Sequence, residues 1–190
     1  MAEPQSHDQE LLRGIAKGNE AAFRALYERY QGRLYRFALH MSGNTAIAEE
    51  VTQEVFMLLM SKAKAYQAQK GTVAGYLFGI TRNLTRRGLR ERSQEVSIAL
   101  SPDEGDCPEP AMDGDLLQDL TQSELLDCLR RAVPTLPDPY REVVVLCDLE
   151  EMSYADAAEL LECSEGTVAS RLHRARAMLK VKLSRQACVK

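Results

Sequence analysis

No uninterrupted apolar stretch in the sequence approaches the ~18 residues that a membrane-spanning helix requires. The first eight residues, Met-Ala-Glu-Pro-Gln-Ser-His-Asp, are polar and acidic and have no signal-peptide character. These two absences predict a cytosolic chain with no direct membrane insertion. Histidine is scarce, and its three copies, His7, His40 and His173, are dispersed. A phosphate-binding glycine loop, a nucleophile elbow and a metal-ligand triad are all missing, so catalysis has nothing to be built from. The sequence therefore predicts no enzyme, no cofactor and no metal. Five cysteines (Cys107, Cys128, Cys147, Cys163, Cys188) include no CxxC and no Cys/His pair at zinc spacing. Their odd number argues against a disulfide framework and for small, semi-buried side chains.

Charge of one sign is absent from two segments. Residues 93–128 contain ten Asp or Glu and no Lys or Arg. After Glu165 no acidic residue occurs, while seven Lys or Arg do. The overall formal charge of −4 hides this separation. Without the acidic segment the flanks hold 24 basic and 18 acidic residues, so an acidic middle joins two basic ends.

What is present is helical periodicity. Hydrophobic content of 45% excludes wholesale disorder, and apolar residues recur at three and four rather than two. Residues 8–92 read as four helices. Ser6 with Gln9 resembles a capping box before Leu11, Leu12 and Ile15, and Gly18 closes that segment. Asn19 caps a longer helix carrying Phe23, Leu26, Tyr27, Tyr30, Leu34, Phe37 and Met41, ended by Gly43. Thr45 opens a third, with Ile47, Val51, Val55, Leu58 and the stem of Lys62 inward. Thr72 opens a fourth, with Tyr76, Leu77, Ile80 and Leu84 inward. Residues 93–118, with Pro102, Pro108, Pro110, Gly105 and Gly114, read as a flexible acidic linker. Beyond it, Thr121 and Glu124 form a second capping box before Leu125, Leu126, Leu129 and Val133. Pro134 and Pro137 break that helix. Asp138-Pro139 restarts one bearing Val143, Val144, Leu146 and Leu149, and Ser153 with Asp156 caps the next. The predicted fold is all-α: a four-helix domain over 1–92, the linker over 93–118, and a second small helical domain over 119–190.

The last two helices carry the strongest signal. Ser153–Leu161, a turn at Glu162-Cys163-Ser164 and the segment from Glu165 form a helix-turn-helix whose second helix is cationic, as entry into a DNA major groove requires. Val168, Leu172, Ala175, Leu179 and Leu183 share one packing sector. Thr167, Ser170, His173 and Arg174 lie opposite, with Arg171 and Arg176 on the flanks. Hydroxyls and guanidinium groups so mixed can read base edges or grip phosphate; His173 itself reads as a solvated side chain. A second basic element, Arg82, Arg86, Arg87, Arg90 and Arg92, lies near Tyr66, Tyr76 and Phe78, a combination suited to unstacked bases. On the third helix, Glu50, Gln53 and Glu54 share a face with Met57 beside them and Met60 at its edge, which suits docking of another protein.

Together these elements resemble the sigma-70 family of transcription initiation factors, in its small extracytoplasmic-function (ECF) group. Ala48–Phe56 resembles the polymerase-docking part of region 2, Gly75–Leu84 its promoter-binding helix, and Leu136–Arg176 region 4, with Gly166–Arg176 the most specific piece. The resemblance implies that Glu50, Gln53, Glu54 and Met57, with Phe56 supporting from behind, engage core RNA polymerase. It implies that Tyr66, Lys70, Asn83, Arg86, Arg87 and Arg90 hold the melted −10 element. Thr167, Ser170, Arg171, Arg174 and Arg176 then read the −35 element as duplex. It further implies promoter DNA and an anti-sigma factor as partners, and a bacterial cytoplasm. The chain departs from the family pattern at Met60 and Tyr76, where Trp is frequent, at Ala169, where Lys is common, and at Glu162, a turn position usually held by Gly. The alternative reading is a stand-alone helix-turn-helix regulator that dimerises through its N-terminal half and leaves the Glu50-Gln53-Glu54 face unused.

Overall fold

A computed structural model describes residues 4–96, 128–129 and 131–187. Every regular element among them is helical. The capping box at Thr121 and most of the acidic linker lie outside the described residues.

Helix α1 spans Pro4–Ile15. It begins before the expected Ser6 cap, because proline's fixed φ suits a first turn and its missing N–H is not needed there. Ser6 therefore lies inside the helix. Asn19 caps α2 (Glu20–Ser42) by accepting from the Ala22 amide at 3.1 Å. Gly43 ends it at φ 65°, a left-handed conformation in which its N–H reaches the Leu39 carbonyl at 2.7 Å. The stripe Leu26, Tyr30, Leu34, Phe37 and Met41 is buried, whereas Tyr27 is exposed and Phe23 only half-buried. Each fully buried member, such as Leu34 or Phe37, contributes about 1.5–3 kcal/mol.

Helix α3 (Thr45–Lys62) opens at Thr45 as expected and is capped by Asn44, whose amide oxygen accepts from the Ile47 N–H at 3.1 Å. Its inward face is Ile47, Ala48, Val51, Val55, Phe56 and Leu59, so Leu59 takes the central place expected of Leu58, which is partly covered. Lys62 is exposed and Ala63 is buried in its stead. After two short 3-10 turns, Ala63–Ala65 and Ala68–Lys70, Thr72 caps α4 (Val73–Val96) through its hydroxyl to the Gly75 N–H at 3.0 Å. Helix α4 runs four residues past the expected domain boundary at residue 92. Leu77, Phe78 and Leu84 are buried, with Tyr76 and Ile80 half-buried beside them. Phe78 meets Phe37 edge-on at 5.4 Å and is therefore core, which removes it from any base-stacking surface. Helix α2 packs against α1, α3 and α4.

The C-terminal half starts from Val133–Thr135, a 3-10 turn, and an extended Pro137. Helix α5 (Asp138–Val143) continues as a π-helical stretch, Val144–Leu149. Asp138 occupies the first helical position and makes no cap; its carboxylate pairs with Arg141 at 3.4 Å. Val143, Val144, Val145 and Leu146 are buried, but Leu149 faces outward. Helix α6 (Tyr154–Leu160) is capped by Ser153 through the Asp156 N–H at 3.1 Å, as expected. Glu162 makes the turn at φ 54°, and α7 (Glu165–Ala187) follows with Val168, Leu172, Ala175, Leu179 and Leu183 buried against α5 and α6.

The two halves, expected as separate modules on a tether, touch each other. Helices α2 and α4 receive α5, its π-helical continuation and α6.

Candidate protein- and nucleic-acid-binding faces

The acidic face of α3 is built as the helical spacing demands. Glu50 and Gln53 are exposed, and Met57 and Met60 are 69% and 64% accessible. Two exposed, adaptable Met side chains beside carboxylates on one helix suit a docking surface for another protein. Behind them Phe56 is buried, 4.6 Å from the Tyr27 ring and edge-on to Phe23 at 6.1 Å. Phe56 is thus a support for the face and not part of its surface. Glu54 is half-buried and accepts from Arg87 at 2.6 Å, which joins α3 to α4 at the edge of this face. The Glu54 carboxylate holds the Arg87 guanidinium protonated more firmly than usual, chiefly through that hydrogen bond.

The cationic surface follows the loop from Tyr66 to Thr72 and one side of α4. The Tyr66 hydroxyl donates to the Gly71 carbonyl at 2.9 Å, and its ring meets Tyr76 edge-on at 5.5 Å. Burial raises both phenols above their ordinary range, so they are neutral donors and aromatic faces, not phenolates. Asn83 and Arg90 are exposed. Lys70 closes the second 3-10 turn, and its side chain lies outside the described residues. Arg82 and Arg86 do not face solvent freely. Arg82 forms two hydrogen bonds to Glu142, at 2.7 and 3.2 Å, and Arg86 reaches the same carboxylate at 3.1 Å.

A matching pair sits one helix away. Arg33 donates to the Glu150 carboxylate at 2.9 Å and to its backbone carbonyl at 2.7 Å, with Arg36 at 3.5 Å. Arg33 also lies over the Phe78 and Tyr30 rings. Burial raises the Glu150 carboxyl, and the two arginines pull it partly back. Arg141 adds a bond to the Met41 carbonyl at 2.6 Å. Deeper in the bundle, Asp8 is buried and accepts from Tyr30 at 2.5 Å and from Arg29. Glu142 and Glu150 carry no motif in the sequence; the one local signal is that Glu142 directly precedes the apolar run Val143–Leu146, while Glu150 lies four residues beyond it, and a carboxylate buried there needs a partner.

On α7 the Ser164 hydroxyl caps the helix by accepting from the Thr167 N–H at 3.1 Å and lies 2.9 Å from the Thr167 hydroxyl. Ser170 donates to the Thr167 carbonyl at 3.0 Å, which leaves its lone pairs as acceptors for a base amino group. Ser170, His173 and Arg174 are exposed, Thr167 and Arg171 partly so. Arg176 is exposed on α7 and also holds an ion pair. Its guanidinium forms two bonds to Asp148, at 3.1 and 2.6 Å, tying α7 to the π-helical stretch. That pairing raises its already high basicity further.

Comparison with known proteins bears on these faces. The family model for sigma-70 region 2 matches residues 26–95, and that for sigma-70 region 4 matches residues 126–179. The chain is 36% identical over 168 residues to the ECF RNA polymerase sigma factor SigE of Mycolicibacterium smegmatis, covering 87% of this chain and 64% of that longer protein. It is 32% identical over 165 residues to the ECF RNA polymerase sigma factor SigM of Bacillus subtilis, covering 84% of this chain and 94% of the relative. Among solved structures, the sigma factor RpoE of Bartonella quintana, crystallised with the anti-sigma factor NepR, is similar with a TM-score of 0.65 at 29% identity, over 85% of this chain and 96% of that one. The chain belongs to the sigma-70 family of RNA polymerase sigma factors, in its ECF group.

Proposed function

We propose that Glu50, Gln53, Glu54 and Met57 dock core RNA polymerase, with Phe56 holding the helix surface from behind. The loop from Tyr66 to Thr72, with Lys70, Asn83, Arg86, Arg87 and Arg90, then captures the melted −10 strand. Thr167, Ser170, Arg171 and Arg174 read the −35 duplex, while Arg176 acts as a positioning residue through Asp148. The observation that carries this reading is the pairing of an exposed acidic and Met-bearing face on α3 with two cationic faces, one beside aromatic rings and one on a helix-turn-helix.

The division of labour follows from chemistry. A cationic helix at a capped N-terminus suits duplex phosphates and base edges. Arginines near aromatic faces suit single strands. Strand separation draws on base capture and polymerase contacts, so this chain supplies binding and no catalysis. No helix among the described residues is long and apolar enough to cross a membrane. A bacterial cytoplasm and control by an anti-sigma factor complete the reading, the latter supported by the partner seen with the Bartonella protein.

The test is Gln53→Ala combined with Glu54→Ala. Polymerase binding falls at least tenfold in a pull-down, corresponding to about 1.4 kcal/mol, while duplex binding by the full chain is unchanged. Full retention of polymerase binding refutes the assignment of this face.

A further inference from the structure

Tyr66 is a wall shared by two clefts. On one side its ring meets Tyr76, across a cleft that also holds Thr72 and Gly75. On the other it faces α1 across a groove of about 390 Å³, within the roughly 300–1,000 Å³ of small-ligand clefts. The polar rim of that groove is Gln9 and Arg13 from α1, with Lys64, Gln67 and Gln69 from the loop that follows α3. Its floor is apolar, with Leu12 and Ala63 both buried. Among the described residues no carboxylate lines it. Neither Gln9 nor Arg13 belongs to the faces described above.

Helix α1 holds these two side chains in a fixed direction. Gln9 and Arg13 are four residues apart and so share one side of the helix. Asp8, beside Gln9, is buried and accepts from Tyr30 at 2.5 Å and from Arg29, which pins α1 onto α2. Tyr66 is fixed as well, by its bond to the Gly71 carbonyl at 2.9 Å. Burial raises its phenol, against smaller lowering effects of the Gln9 amide and the Arg13 charge, so both groups stand beside that hydroxyl. Arg13, Lys64, Gln67 and Gln69 are exposed and Gln9 is half-buried, which leaves the rim open to a ligand.

These groups fit one nucleotide. A guanidinium and an ammonium on a rim without carboxylates favour a phosphate. A side-chain amide offers a donor and an acceptor side by side, the pattern that matches adenine. The Tyr66 ring and the apolar floor suit the body of the base. We propose that the groove between α1 and Tyr66 binds one nucleotide of the melted strand, with Arg13 and Lys64 on its phosphate and Gln9 on its base. The inference rests on the assignment of the −10 surface to single-stranded DNA and extends that surface to α1. Because the groove and the Tyr76 cleft share Tyr66, a strand crossing that ring has one nucleotide on either side of it. Gln9 is then a specificity-determining residue, and Arg13 is a backbone contact that positions the strand.

The experiment uses holoenzyme assembled from purified core polymerase and the full chain, offered a pool of single strands with a dozen random positions. Enriched strands are sequenced. Wild type enriches a short motif with adenine preferred at one edge position. Gln9→Ala loses that single preference and keeps the rest of the motif, a change that general loss of structure does not produce. Arg13→Ala keeps the motif but weakens binding of the enriched strand by about three- to tenfold in fluorescence anisotropy, and the slope of log affinity against log salt falls by about 0.7, the value for one phosphate on a single strand. Arg13→Lys restores the slope. Lys64→Ala, on the loop side, repeats the effect of Arg13→Ala and keeps the test valid if the α1 variants impair folding. Lys17→Ala, an exposed cation outside the groove, changes neither motif nor slope.

An unchanged motif and an unchanged slope in Gln9→Ala, Arg13→Ala and Lys64→Ala overturn the proposal, while the motif itself leaves the −10 assignment standing. A wild-type holoenzyme that enriches no motif overturns the −10 assignment and the proposal with it. Adenosine monophosphate that binds the full chain at millimolar concentration, loses that binding in Arg13→Ala and does not displace the enriched strand from holoenzyme overturns it too, and assigns the groove to a free nucleotide.

Discussion

Arg82 and Glu142 are joined by a two-point hydrogen-bonded ion pair, at 2.7 and 3.2 Å, across 60 residues of sequence. Both side chains are largely withdrawn from solvent, at 17% and 3% accessible. Removing one partner strands the other charge, so Glu142→Ala costs about 3 kcal/mol, more than a surface pair would. In a double-mutant cycle with Arg82→Ala, urea unfolding gives a coupling of about 1–3 kcal/mol. Additive effects of the two changes contradict the pairing.

The turn between α6 and α7 holds a second testable relationship. Glu162 adopts φ 54°, a region that a side chain disfavours by about 1–2 kcal/mol. Its N–H still reaches the Glu159 carbonyl at 3.2 Å, and Cys163 bonds to Ala158 at 3.0 Å, so the turn is kept at the expense of strain. Glu162→Gly relieves that strain but adds freedom to the unfolded chain, for a net gain of about 0.5–1 kcal/mol. Chemical denaturation of the two proteins measures it, and a loss of stability contradicts the account.

Cys147 is unsuited to redox sensing by thiolate chemistry. Burial, with Asp148 beside it, pushes its thiol up to about 11. At about pH 8 its thiolate is roughly a hundredfold scarcer than that of free cysteine. Iodoacetamide labelling followed by mass spectrometry therefore modifies Cys147 slowly, and the rate climbs as pH rises towards 11. Labelling as fast as free cysteine at neutral pH contradicts the burial argument.

Local chemistry made much of the fold legible. Asn19 and Gly43 bracket α2 because cap and stop are written within one turn of the helix they bound. Ser153 and Thr72 were readable for the same reason. Phe78 and Tyr27 exchanged their expected environments, because a helix that packs on several neighbours buries more than one stripe. The α3 face was legible from spacing alone. What stayed hidden were pairings between distant segments: Arg33 with Glu150 across 117 residues, and Arg176 with Asp148 across 28. Charge patterning separates cationic from acidic segments but does not say which cations are already satisfied, and so Arg86, Arg87 and Arg176 read as equally available.

The most direct measurement is run-off transcription with purified core polymerase, with and without this protein, on a library of genomic fragments. The account predicts transcripts that appear only with the protein and start downstream of a shared two-part motif, and it predicts their loss with Gln53→Ala/Glu54→Ala. Sequence-specific duplex binding with neither polymerase binding nor transcripts would contradict it and identify a stand-alone regulator instead.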